Sequence, residues 1–268
     1  MKKKKGCFLR FVFFAVLLVL LIRAAFFDNL TVVKYTVKTD IVTKNHTFVL
    51  LTDLHSTYFG EDQEELAERI ISYSPEAVFF VGDISDEKNG FNGAEAILRR
   101  ISGLYSCYFT AGNHERWLEF TDDINSLMEA YGAIPMGGKT LELGDGIRLF
   151  GLDDPLFYNG DFAKKLADSE TSDEYFDILM SHRPEYAEEY VEAGFDMTVC
   201  GHAHGGQVRI PVVLNGLYAP NQGFFPKYAG GRYEIEGKNV IVSRGLVINE
   251  IPRIFNPPEL VVIEIERK

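Results

Sequence analysis

Short apolar runs that stop at clusters of polar residues set the rhythm of this chain. Residues 47–52 read Thr-Phe-Val-Leu-Leu-Thr, a buried strand, and end at Asp53-Leu54-His55. Residues 61–73 open with acids and place Leu66, Ile70 and Ile71 on one side, as a helix with one face in a core does. A second apolar run at 77–81 stops at Gly82-Asp83, after which Ala94, Ile97, Leu98 and Ile101 recur at helical spacing. Residues 106–111 form a third strand ending at Gly112-Asn113-His114-Glu115, and another helix is expected between 119 and 131. Later runs at 147–152, 176–180 and 197–200 lead into Asp153-Asp154-Pro155, Ser181-His182 and Gly201-His202-Ala203-His204. From Gln207 onward the pattern passes to short strands and Gly/Pro turns, closing on a strand at 260–265.

Strand-then-helix alternation predicts an α/β fold. In open α/β sheets ligands bind at the C-terminal strand ends, so the polar clusters should converge on one edge. Ahead of this body, Lys2 to Lys5 precede an apolar run over 8–27 broken only by Arg10 and Arg23. That run reads as a membrane anchor, with a cleaved signal segment as the alternative, although Arg23-Ala24-Ala25-Phe26 makes a poor cleavage site. Lysines on its N-terminal side would stay cytoplasmic and set the body on the extracytoplasmic face of the cell membrane, as a single-pass protein.

The charge sharpens this division into 1–27 and 28–268. No acid precedes Asp28, while six bases do; of 27 bases, 21 then face 39 acids in the body, a net −18. So acidic a body repels nucleic acid, and no nucleic-acid partner is expected; an anionic substrate needs local positive charge, which bound metal would supply. The three cysteines, Cys7, Cys107 and Cys200, are far apart and suggest neither a disulfide framework nor a thiolate metal site.

Five of the six histidines, His55, His114, His182, His202 and His204, fall in the strand-end clusters beside Asp53, Asp83 and Asn113. A lone histidine in such a place is usually a hydrogen-bonded structural residue. Five together would bury many polar groups, each needing a partner. The motifs Asp53-x-His55, Gly82-Asp83-x-x-Asp86, Gly112-Asn113-His114-Glu115, His182 and Gly201-His202-x-His204 occur in the order of the calcineurin-like metallophosphoesterase superfamily. The chain resembles that superfamily over most of 47–265. Residues 201–211 and Ser243-Arg244-Gly245-Leu246 look like a membrane-associated branch that includes enzymes acting on UDP-diacylglucosamine-like lipids.

The resemblance implies a four-layer α/β/β/α sandwich with a dinuclear metal site at the C-terminal strand edge. It implies that Asp53, His55 and His204 hold one divalent ion, that Asn113, His182 and His202 hold a second, and that Asp83 bridges them. Nitrogen and oxygen ligands without sulfur suit Mn²⁺, Fe or Zn²⁺. The implied reaction is hydrolysis of a phosphoester, with water activated between the two ions attacking phosphorus in line and His114 assisting the leaving oxygen. Arg116 and Arg183 flank the motifs and are candidate substrate contacts. Asp86 and Glu115 read as supports of their loops, Asp153-Asp154 as a turn with solvated acids, and the aromatic-rich stretch 216–231 as a loop over the site offering surface to a lipid-like substrate. The substrate is left open among mono-, diester and pyrophosphate, with a lipid-linked diester or pyrophosphate favoured. A catalytically silent scaffold of this fold and a nuclease of the same superfamily are the rival readings.

Overall fold

The structure is a computed structural model that describes residues 2–88, 90–117, 121–248 and 251–268, without the side chains of 2–8 and 121–123. The N-terminal run forms one helix, α1 (Lys2–Ala25). Its large apolar side chains from Leu9 to Ile22 are all exposed. Among the described residues no helix is long and apolar enough to cross a membrane, so the expected spanning segment is not supported there.

The first half of the body runs β1 (Thr31–Thr39), β2 (His46–Leu51), α2 (Glu64–Ser72), β3 (Ala77–Val81), α3 (Asn92–Ile101), β4 (Ser106–Thr110), α4 (Asn113–Trp117), α5 (Thr121–Ala130) and β5 (Ala133–Pro135). The second half carries β6 (Lys139–Gly144), β7 (Ile147–Leu152), α6 (Phe162–Ala167), β8 (Phe176–Ser181), α7 (Ala187–Glu192) and β9 (Met197–Cys200). It closes with the short pair β10 (Tyr218–Ala219) and β11 (Gly223–Phe224), then β12 (Gly231–Ile235), β13 (Lys238–Val242) and β14 (Glu259–Arg267). Six strands form one sheet in the order β1-β14-β2-β3-β4-β5, and six form a second in the order β12-β13-β9-β8-β7-β6.

Period-two alternation sorts the apolar residues into layers. Phe48, Leu50, Phe79 and Val81 of the first sheet meet Leu149, Ile178, Met180 and Val199 of the second in a core between the sheets. Their neighbours Val49, Leu51, Val78 and Phe80 turn the other way and pack with Leu66, Ile70, Ile97 and Ile101 of α2 and α3. On the far side, Phe150, Leu152 and Leu179 pack with Leu166 of α6 and Tyr190 of α7. The result is the expected α/β/β/α sandwich. Each fully buried Phe or Leu contributes about 1.5–3 kcal/mol to holding it.

β2, β3 and β4 run parallel in one sheet, and β7, β8 and β9 run parallel in the other. The polar clusters that follow five of these strands therefore leave the sheets on one edge. The helix expected from residue 61 begins as α2 only at Glu64. Residues 61–63 instead make a short 3-10 turn kinked at Asp62 and Gln63, φ +51° and +63°, where the buried Gln63 amide bonds Thr57 O and Phe59 N. The expected helix at 119–131 starts partly outside the described residues, and α5 is described from Thr121. β1 and β6 were not legible as strands, nor α6 and α7 as helices.

Candidate metal centre

The strand-end loops are tied together before any side chain is considered. The backbone N–H groups of Asp53, His55, Gly82 and Gly201 donate to Gly82 O, Asp83 O, Thr110 O and His182 O at 2.9–3.0 Å. The turns this requires are strained: Asp53, His55, Asp83, His202 and His204 all take positive φ, between +44° and +65°. Such conformations cost on the order of 1–3 kcal/mol each outside glycine and cluster where a site demands them. Two glycines permit the close approach. A Cβ on Gly82, at φ +74°, would lie 2.3 Å from His182 Nδ1, and one on Gly112 would lie 2.3 Å from Asp83 Oδ1.

Glu115 is the hub of this scaffold. Its fully buried carboxylate accepts from the N–H groups of Asp83, Ile84, Ser85 and Gly112 at 2.8–3.0 Å, joining two motif loops to α4. Burial, and next the Asp83 carboxylate, push its pKa up to about 7. Asp83 and Asp53 in turn each cap a neighbouring loop, accepting from His114 N at 2.8 Å and His202 N at 2.9 Å.

Every expected ligand reaches the same place. Ligand atoms of Asp53, His55, Asp83 and His204 form one group close enough to share an ion, and those of Asp83, His182 and His202 form a second. Asp83 belongs to both. Asn113 is buried on the wall of the same cavity, a space of about 440 Å³. Whether the cluster fits cations is decided by its unpaired atoms: Asp53 Oδ2, His55 Nε2, Asn113 Oδ1 and His204 Nδ1 are buried without a hydrogen-bond partner, while His182 Nε2 lies 3.0 Å from Asp83 Oδ2. Orphaned buried groups cost about 1–3 kcal/mol each and more when charged. Their gathering at one point is what a site for positive ions requires.

The electrostatics agree. Against the cost of burial, neighbouring histidines hold the Asp53 and Asp83 carboxyls well below the usual range, with His204 acting first on Asp53 and His182 first on Asp83. Burial pushes His55 and His202 down to about 4, which keeps them neutral and able to ligate. His182 is oriented by its Nδ1–H, 3.0 Å from Val81 O. Burial opposes its charge, yet the Asp83 carboxylate, 3.0 Å from Nε2, raises its pKa to about 10.

Around the cluster the structure adds partners that the sequence left unread. His202 Nε2 lies 3.0 Å from Asn221 Oδ1, which fixes that ring from a loop 19 residues away. His114 Nδ1 lies 3.0 Å from Glu87 Oε2, and its ring packs edge-on to His55 and Trp117 at 4.5 and 4.8 Å. Asp86 instead accepts from Lys88 N and pairs with Gly90, a loop support as read from the sequence. Arg183 lines the cavity with His114, Trp117 and Asn221, and its Nη2 donates to Asp154 Oδ1 at 3.2 Å. Arg116 does not reach that wall; its guanidinium sits over the Phe157 ring, 5.8 Å from the centroid.

The acids at 153–154 are not the solvated turn expected. Asp154 is fully buried against Arg183. Asp153 accepts from Ala111 N at 2.8 Å, and burial raises its pKa to about 6. Of the aromatic-rich loop, Pro220 and Asn221 form cavity wall, while Phe224 and Phe225 are 71 % and 68 % exposed.

A family profile described as calcineurin-like phosphoesterase matches residues 46–206, which hold every expected ligand. The uncharacterized metallophosphoesterase YkuE of Bacillus subtilis is 31% identical over 228 residues, 81% of this chain and 78% of that protein. The UDP-2,3-diacylglucosamine pyrophosphatase LpxG of Chlamydia muridarum is 25% identical over 178 residues, 62% of this chain and 53% of its own length. Among solved structures, a dimetal phosphatase from Danio rerio superposes with a TM-score of 0.47 at 12% identity, covering 75% of this chain and 87% of the other.

Proposed function

This chain belongs to the calcineurin-like phosphoesterase family and is a metal-dependent phosphoester hydrolase that uses two divalent ions; from that premise we propose that it cleaves a phosphodiester or pyrophosphate bond of a lipid-linked substrate at a membrane surface. Asp53, His55 and His204 would hold one ion, Asn113, His182 and His202 the other, and Asp83 both. The observation that carries this assignment is the gathering of unpaired buried ligand atoms around Asp83. When bound, two divalent ions neutralise phosphoryl oxygens and lower the pKa of water at the site.

The protein's own groups do the rest. The Asp83 carboxylate offsets the mutual repulsion of two nearby cations. Glu115 and the backbone ties hold the loops so that little reorganisation is needed on binding. With its Nδ1–H directed to Glu87, His114 in its doubly protonated form would pass its Nε2 proton to the leaving oxygen, an assistance typically worth about 10²–10⁴ in rate. Arg183, clamped by Asp154, presents positive charge on the cavity wall where a phosphoryl group would lie.

Two observations support a substrate at a membrane surface. LpxG, a relative over part of the chain, is a pyrophosphatase of UDP-2,3-diacylglucosamine. In addition, α1 exposes apolar side chains at successive positions from Phe11 to Phe14 and from Val16 to Ile22, so every face of the helix is apolar over that stretch. Such a helix would be solvated by lipid, and as a tether it would keep the site near the bilayer, on the extracytoplasmic side by the lysines that precede it. The test is the full chain in Mn²⁺, offered chromogenic mono- and diesters and a nucleotide-diphospho-lipid in vesicles. The proposal expects the lipid substrate to be turned over with the higher kcat/KM. A preference for the soluble monoester, with the lipid untouched, would overturn it.

A further inference from the structure

The edge that carries the metal cluster also carries apolar side chains with no protein cover. Gly206, two residues beyond His204, is the anchor of a stitched set of loops. Its carbonyl accepts from the N–H groups of Val208 and Leu217, and Leu217 O accepts from Phe225 N. Val208 pairs with Ile254; Arg209 N donates to Ile254 O, and Ile254 N donates to Gln207 O. Phe255 N then donates to Ala25 O, the last residue of α1, at 2.7 Å. A continuous backbone path therefore runs from the helix end through the 206–217 loop to the 223–225 turn.

The tips of these loops are apolar and exposed. Ile210 and Leu214 bracket a turn whose tip is Val212-Val213, with Val212 fully exposed and Val213 79% exposed. Phe224, Phe225 and Ile251 are exposed on the neighbouring segments. Two of them, Val212 and Phe225, sit at φ +70° and +58°, which a β-branched or bulky residue rarely adopts. Water gives no reason to hold large apolar groups in strained turns at a surface. A bilayer does, because each such group gains by leaving water.

From this arrangement we infer that the loops 208–214 and 223–225, with Ile251, form a lipid-docking surface that seats the mouth of the metal cavity on the membrane. What identifies the occupant as lipid is continuity with α1. A protein partner would cover one face of that helix, whereas its apolar residues occupy all faces, and the loops are bonded to its end. Pro220 and Asn221, between the two loop tips in sequence, line the cavity, so docking would bring its opening to the head-group level. The inference deepens the membrane-surface reading above and rests on it for its purpose, but it stands on a different measurement.

Docking is read by fluorescence in the full chain. Trp117 is its single tryptophan. In a Trp117→Phe background, Val213→Trp and Glu234→Trp place one reporter on the loop tip and one on β12 at the other edge of the sheet. Both carry α1, so the helix contributes equally. With phosphatidylcholine vesicles brominated in the acyl chains, Val213→Trp emission should fall two-fold or more, while Glu234→Trp stays unchanged. Equal quenching of both, or none at 213, overturns the docking surface whatever substrate the enzyme cleaves. As a second arm, Val212→Ser, Val213→Ser, Phe224→Ser and Phe225→Ser combined should leave turnover of a soluble chromogenic diester unaltered. Turnover of the vesicle-borne lipid should fall about ten-fold. An equal loss on both substrates would show damage to the fold and count against the inference. Quenching at 213 without any lipid hydrolysis would instead sink the substrate reading and leave the docking surface standing.

Discussion

Two neighbouring regions of this molecule break the ordinary rules of burial in opposite senses. In the strand-end cluster, charged and polar atoms of Asp53, His55, Asn113 and His204 are buried without partners. In α1 and the loops after Gly206, large apolar side chains are exposed without cover. Both regions also hold non-glycine residues at positive φ, Asp83 and His204 in the one, Val212 and Phe225 in the other. Each arrangement costs free energy in the chain alone. What differs is the missing component: cations complete the first, and an apolar medium would complete the second. The comparison teaches that a departure from inside-polar or outside-apolar expectation names the chemistry of its complement, provided the groups converge.

The sharpest way to break the comparison is to remove the shared ligand. Asp83→Asn should lower kcat/KM by about 10³-fold or more, because it takes away roughly 4 kcal/mol of stabilisation that only the charged bridge supplies. Metal analysis should show fewer than two ions per chain in a protein with unchanged circular dichroism. His114→Ala should cost about 10²–10⁴ in kcat with metal content intact, which separates proton assistance from ion binding. Asn221→Ala removes only the group that fixes His202, and metal affinity by titration should weaken about 10–100-fold.

The smallest expected effect lies outside both regions and checks that burial is being read correctly. Asp153 has its pKa raised to about 6 by burial, against an ordinary value of 3.8. The folded state thus favours its neutral form. Its contribution is fully present below about pH 4 and is lost as pH rises through 6, on the order of 1–3 kcal/mol. Asp153→Asn cannot ionise, so its stability relative to the parent should improve from pH 4.5 to pH 7.5, as measured by denaturant midpoints. A constant difference across that range would mean that Asp153 is not protonated in the fold.

How much of this was legible in the sequence follows from the range of each interaction. The ligands were readable because each sits directly after an apolar strand, so local order alone placed Asp53, Asp83, Asn113, His182 and His202 on one edge. Their partners were not. Glu87, Asn221 and Asp154 are ordinary polar residues until the fold sets them against His114, His202 and Arg183. β1 escaped notice although its Val33, Tyr35 and Val37 alternate with Lys34, Thr36 and Lys38 as in a half-buried strand, because none of the motifs follows it and its partner β14 lies at the other end of the chain. The same distance effect turned Asp153-Asp154 from an apparent solvated turn into a half-buried acid beside a fully buried one. Arg116 shows the converse: adjacency to a motif did not bring its side chain to the cavity.

If one strand-end cluster holds two ions about Asp83, both should be visible in a loaded crystal. Crystals of the Mn²⁺-loaded protein, measured at an energy where manganese scatters anomalously, test it most directly. Two peaks are expected about 3.5–4 Å apart on either side of the Asp83 carboxylate, one against Asp53, His55 and His204, the other against Asn113, His182 and His202. A single peak, or peaks away from Asp83, would contradict it.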